Sequence, residues 1–156
     1  MKRKTILFIG GYGSKGGKAE TLRQKRGWNV LALLPDYDKG LTQWITAAAK
    51  ILEENPVSEI HASSTGALVA CQFPLPKVLY SLVIDPFRQP RDPLFSKKFL
   101  QEAYVITSCS PCKIILSEKD DVLFEQITLD FCRKNHITPI ISPNDDHRLT
   151  RFFGKM

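Results

Sequence analysis

Short apolar runs alternate with longer polar stretches along this chain, and that alternation sets the expected fold. Six runs read as strands: Thr5–Ile9, Asn29–Leu33, Glu59–Ser63, Ser81–Asp85, Lys113–Ser117 and Thr138–Ser142. Between them, helices are expected near Lys18–Lys25, Thr42–Glu54, Gly66–Cys71, Ser96–Ala103 and Leu123–Asn135. Trp44, Ile45, Ala48, Ile51 and Leu52 recur at helical spacing and mark one apolar face of the second helix; Phe124, Ile127 and Phe131 do so in the last. Continuous apolar strands joined by crossover helices predict an α/β fold, a mostly parallel sheet of about six strands covered by helices on both faces. Right-handed crossovers bring every strand's C-terminal end to one edge of the sheet, where ligands bind. The segment Asp85–Pro111 is broken by Pro86, Pro90, Pro93 and Pro111 and is too short for a domain of its own. It leaves room for a small flap, so residues 1–156 read as one domain without a large cap.

Composition narrows the class. A chain of 156 residues, 43% hydrophobic and 24% charged, is an ordinary globular protein, long enough to bury about two-thirds of its unfolded surface in one core. No run approaches the roughly 20 apolar residues needed to cross a bilayer. The basic start Met1–Lys4 followed by Thr5–Ile9 has the outline of a signal peptide. Its apolar part is too short and runs into Gly10–Gly11 with no cleavage-like site, so a first buried strand in a cytoplasmic protein is expected. Of four cysteines, Cys109 and Cys112 have redox-motif spacing, but Lys113–Leu116 behind them reads as a strand, whereas such a motif opens a helix. No second ligand pair completes a zinc site, so Cys71, Cys109, Cys112 and Cys132 are expected to be reduced structural thiols. The net charge of +6 comes from Lys2, Arg3, Lys4, the stretch from Lys15 to Arg26, and Arg148, Arg151 and Lys155. No aromatic-interleaved basic stripe or helix-turn-helix pattern accompanies it, so neither a specific nucleic acid nor a membrane is expected as partner. The oligomeric state is not legible.

Candidate chemistry lies at the predicted strand ends. Ala62–Ser63–Ser64–Thr65–Gly66 follows one strand and precedes a helix, the small-x-Ser-x-Gly layout that lets a chain turn sharply and lift a serine hydroxyl above the sheet. It selects Ser64, because a frame centred on Ser63 would need a small residue at Thr65. An acid, Asp120, follows the strand Lys113–Ser117, and His147 follows Thr138–Ser142. Serine, acid, histidine is the order of one group of serine hydrolases. The chemistry asks for this set: the imidazole takes the hydroxyl proton, and the carboxylate fixes its tautomer and stabilises its cation. Each residue has a plainer use. Asp120 or Asp121 suits a helix cap, His147 a polar turn, and Asp85 after its own strand is a rival acid. His61 lies within a strand and is expected in the core, and His136 ends a helix where a cation suits the dipole. An oxyanion would be met by the N–H groups of Thr65 and of Tyr12, in the loop Gly10–Gly17 after the first strand, each such donor contributing ~3 kcal/mol in the transition state.

These motifs resemble those of the small, lidless YqiA-like esterases of the α/β-hydrolase superfamily over nearly the whole chain. The matching segments are Gly10–Gly11–Tyr12–Gly13–Ser14, Pro35–Asp36, Ala62–Ser63–Ser64–Thr65–Gly66, Lys119–Asp120–Asp121–Val122–Leu123 and Asp145–Asp146–His147–Arg148–Leu149. Two positions depart: Gly10 stands where the family has a loop histidine, and Ala62 where it has the first elbow glycine. Alanine still permits the turn, whereas losing the histidine bears on the oxyanion loop.

The resemblance implies a serine hydrolase that cleaves a small acyl ester or thioester through Ser64, His147 and Asp120, with Tyr12 and Thr65 as the oxyanion hole and no cofactor or metal. Gly11 and Arg88 are the expected substrate contacts, with Arg88 and Arg91 placed either to meet an anionic substrate or in a solvated loop. One rival is a Rossmann-like dinucleotide-binding protein, since Gly11–Gly16 fits Gly-x-Gly-x-x-Gly and Asp36 follows ~20 residues later. A Walker loop fails, because Tyr12 and Ala19 stand where Gly and Ser or Thr belong. The other rival is a hydrolase scaffold turned catalytically weak binding protein.

Overall fold

The computed structural model describes residues 2–156, so Met1 of the basic start lies outside it. One sheet is built from β1 (Thr5–Ile9), β2 (Asn29–Leu33), β3 (Glu59–Ser63), β4 (Lys77–Tyr80), β5 (Cys112–Ser117) and β6 (Ile140–Ser142). Their spatial order is β2-β1-β3-β4-β5-β6, and every neighbouring pair is parallel. The helices are α1 (Gly17–Arg26), α2 (Thr42–Glu54), α3 (Gly66–Ala70), α4 (Lys97–Glu102), α5 (Glu125–Lys134) and α6 (Thr150–Gly154), with a single 3-10 turn at Tyr37–Lys39.

Alternation along β1 divides the core. Ile6 and Phe8 pack with Ala19 and Leu22 of α1 and with Leu149 and Phe153 around α6. Leu7 and Ile9 face Ala48 of α2, all of α3 except Gly66, Phe99 of α4 and Phe131 of α5. Both faces of the central strands are therefore dry, which is why their sequences read as unbroken apolar runs, while the edge strands β2 and β6 are partly exposed. Each large side chain so buried stabilises the fold by about 1.5–3 kcal/mol.

The fourth strand corrects the sequence reading: it is Lys77–Tyr80, not Ser81–Asp85. Ser81 gives a last rung, its N–H donating to the Ile115 carbonyl at 2.9 Å, and then leaves the ladder with φ +45°. Leu82, Val83 and Ile84 are buried all the same, as a loop packed beside the elbow, with the Val83 N–H on the Ser64 carbonyl at 3.0 Å. A lysine can open this buried strand because its ammonium donates to the Leu75 carbonyl at 2.7 Å. β6 is shorter than expected, since Pro139 has no N–H for a ladder. Asp85–Pro111 holds α4, whose Phe99 anchors it in the core, and its Phe95 ring edges that of Tyr12 at 6.0 Å.

α2 starts without a side chain of its own as cap. Glu102, at the end of α4, supplies one: its Oε1 accepts the N–H groups of Leu41 and Thr42 at 2.8 and 2.9 Å. Among the described residues, no helix is long and apolar enough to cross a membrane. Because β2 and β3 flank β1 on opposite sides, the order in which successive strands are added to the sheet reverses there. The loops after β1 and β3 meet at that switch point, where sheets of this kind hold ligands.

Candidate active site

Ser64 leaves β3 with φ +53°, a left-handed conformation uncommon for a side chain other than glycine. It is held by a bond from its own N–H to the Tyr80 carbonyl, 2.9 Å, and by the amides of Ala67 and Val83 on its carbonyl. Two glycines make the turn possible. A Cβ on Gly66 would lie 2.5 Å from the Ile9 carbonyl oxygen, and one on Gly11 would lie 2.8 Å from Ser64 Cβ. The loop after β1 thus closes directly onto the elbow.

Three residues far apart in sequence meet here. His147 Nε2 lies 3.2 Å from Ser64 Oγ, and His147 Nδ1 lies 2.9 Å from Asp120 Oδ2. With Nδ1–H donated to the carboxylate, Nε2 is the unprotonated nitrogen that accepts from the serine hydroxyl. Asp120 also caps the turn behind it, its Oδ1 accepting the N–H groups of Val122 and Leu123 at 2.8 and 2.7 Å. Asp121 accepts the backbone N–H of His147 at 3.0 Å, which holds its carboxyl below the usual range. Arg91 donates to the Asp120 carbonyl at 3.3 Å. The paired acids are thus divided between the imidazole and the loop that carries it. Asp121 and Arg91 were not legible as positioning residues: one is masked by its twin, and the other acts through a backbone atom.

The loop bearing Tyr12 is pinned at three points: Gly10 N–H on the Leu33 carbonyl, 2.9 Å; the Tyr37 hydroxyl on the Gly10 carbonyl, 2.6 Å; and Ser14 N–H on the Gly11 carbonyl, 3.1 Å. Burial raises the Tyr37 hydroxyl far above its ordinary pKa, so it stays a donor at any physiological pH. The buried tyrosine holds this loop without a histidine at Gly10. The Tyr12 side chain turns away from Ser64 to donate to Asp38 Oδ1 at 2.7 Å, while its ring stacks over Tyr37. Among the described residues, the amides of Tyr12 and Thr65 are engaged by no hydrogen bond.

Apart from Gly11, which lines the groove at Ser64, the remaining candidates lie elsewhere. Asp85 is 5% exposed and spends its carboxylate on the Phe87 amide, 3.0 Å, and the Arg88 guanidinium, 2.7 Å. Arg88 is thereby committed to its own turn and does not line the groove at Ser64. Asp36 caps the Tyr37–Lys39 turn by accepting the Asp38 N–H, and Gly11 is packed on the elbow. His61 is buried between Glu59, 2.6 Å, and the Tyr80 hydroxyl, 2.7 Å; burial lowers its pKa and keeps it a neutral core residue. His136 sits exposed just beyond α5. All four cysteines are free, and Cys112 begins a strand rather than a helix. Burial pushes the Cys132 thiol up to about 11. Among the described residues, no cluster of three or more His, Cys, Asp or Glu side chains is placed to hold a metal.

Ser64 and His147 open onto a groove of about 800 Å³, bounded by the Gly11–Lys15 loop, α1 and α6. The sequence matches no protein-family model and no curated protein. Solved structures do match. The esterase domain of a Rhodothermus marinus protein is 17% identical with a TM-score of 0.70, over 94% of this chain and 79% of that one. The ydeN gene product of Bacillus subtilis is 13% identical with a TM-score of 0.63, over 96% and 90%. YbtT, a type II thioesterase of the yersiniabactin biosynthetic pathway, is 12% identical with a TM-score of 0.67, over 97% and 89%. The chain has the α/β-hydrolase fold, in a single-sheet form without a large cap.

Proposed function

We propose that this protein is a serine hydrolase that cleaves a carboxylic ester or thioester by acyl transfer. The observation that carries the reading is the unbroken hydrogen-bond chain from Ser64 Oγ through His147 to Asp120, at 3.2 and 2.9 Å, rising from a left-handed elbow. Ser64 Oγ attacks the acyl carbon as His147 Nε2 takes its proton, and Asp120 stabilises the resulting imidazolium. The N–H groups of Tyr12 and Thr65 receive the oxyanion, each contributing ~3 kcal/mol. Collapse breaks the bond from the acyl carbon to the leaving group, which His147 protonates. Water, deprotonated by His147, then releases the acid and restores Ser64. The printed names of two neighbours, an esterase domain and a thioesterase, support this class. The motif resemblance supports the narrower placement beside the small YqiA-like esterases.

Hydrolysis of p-nitrophenyl acetate tests the assignment. Ser64→Ala is expected to lose on the order of a millionfold in turnover. Asp120→Asn should lose on the order of ten-thousandfold, through the wrong imidazole tautomer, while Asp85→Asn stays near wild type. Activity that survives in Asp120→Asn and disappears in Asp85→Asn would move the acid's role.

A further inference from the structure

Four cations and no carboxylate line the groove beside Ser64: Lys15, Lys18, Lys25 and Arg148. Some cations elsewhere in the chain are held in ion pairs with carboxylates, as in Lys4–Glu59, Arg23–Glu20, Arg88–Asp85 and Lys98–Glu102. Among the described residues, none of the four groove cations is in an ion pair. Lys18 is partly buried, with its ammonium 5.6 Å from the centre of the Phe153 ring. Burial and the neighbouring Arg148 lower its pKa, so its charge sits where an anion would be welcome. Asp145 and Asp146 lie near enough to attract Lys18, but both are occupied. Asp145 accepts from the Ser142 hydroxyl and the amides of Arg151 and Phe152, and Asp146 from the Thr150 amide and hydroxyl.

Position says which part of a substrate this charge would meet. His147 Nε2 must hand its proton to the departing atom, so the leaving group lies against His147 and the residue after it, Arg148. On that side the β1–α1 loop brings Lys15, and the first turn of α1 brings Lys18, to the same groove as Arg148. Several converging cations suit a dianion better than a single carboxylate. We propose that the substrate is an acyl ester or thioester of a phosphorylated alcohol or thiol, its phosphate held by Lys15, Lys18 and Arg148. This rests on the hydrolase reading. The phosphate is a handle only: the bond from acyl carbon to oxygen or sulfur breaks, water supplies the acid's new hydroxyl, and the phosphorylated alcohol or thiol departs with the proton from His147.

Calorimetric titration of inorganic phosphate into Ser64→Ala, which has no turnover to complicate the signal, reads the anion site directly. Saturable binding is expected, weakened at least tenfold by adding Lys18→Gln or Arg148→Gln and unchanged by Lys50→Gln on the exposed face of α2. Turnover is compared in parallel for phenyl acetate and the same ester phosphorylated on its ring. A preference in kcat/KM of at least tenfold for the phosphorylated ester is expected, collapsing in Lys18→Gln. No phosphate binding, or equal weakening by Lys50→Gln, overturns the site. Hydrolysis of both esters without preference overturns the substrate class and leaves the hydrolase standing. Phosphate binding that needs Lys18 and Arg148, with neither ester cleaved, supports the anion site and removes the hydrolase.

Discussion

A left-handed serine at the end of a parallel strand holds its place only if its neighbours fix it. Such a conformation costs a side-chain-bearing residue about 1–2 kcal/mol. At Ser64 the Tyr80 carbonyl and the amides of Ala67 and Val83 provide the restraint. Tyr37 does comparable work for the facing loop, through the bond from its hydroxyl to the Gly10 carbonyl. Tyr37→Phe keeps the ring and removes that bond, leaving a buried carbonyl unpaired at a cost of about 1–3 kcal/mol. The Tyr12 amide then loses its fixed position, so kcat is expected to fall roughly 10- to 100-fold with little change in KM. An unchanged kcat alongside a lowered Tm would make Tyr37 a core residue only. Ser64, Asp120 and His147 were legible because each follows a strand and each is a residue type with few uses. Tyr37 was not, because only the pairing of β2 with β1 brings it to Gly10.

α2 was readable to its ends because 13 residues carry one apolar stripe, whereas α6, at five residues, is too short to show a period. The fourth strand was misplaced because a buried lysine at its start disguised it and the more apolar run beside it is loop. The trans cap on α2 gives a pH test. Two backbone amides and Lys98 hold the Glu102 carboxyl at about 2, well below its ordinary value. A group whose pKa is depressed on folding adds stability above its unfolded pKa and loses that contribution as pH falls through the folded one. Glu102→Gln is therefore expected to lower Tm at pH 7, with the gap to wild type closing between about pH 4.5 and 2. A gap that persists unchanged to pH 2 would place the effect elsewhere.

At the scale of the molecule, the sheet order makes the site. Ser64 and His147 are 83 positions apart and His147 and Asp120 are 27 apart, yet parallel strands deliver all three to one rim. That convergence followed from crossover handedness and could be read from strand positions alone. The cationic groove could not, because Lys15, Lys18 and Arg148 come from the two ends of the chain and meet only where α1 and α6 cover the same face. Arg88, an equally plausible cation in the sequence, is taken by Asp85 three residues away. Whether Ser64 is a nucleophile is decided most directly by mass spectrometry after exposure to a fluorophosphonate. Wild type should gain one adduct on the peptide containing Ser64, Ser64→Ala none, and His147→Ala should label at least a hundredfold more slowly. Equal labelling of wild type and Ser64→Ala, or an adduct on another residue, would contradict it.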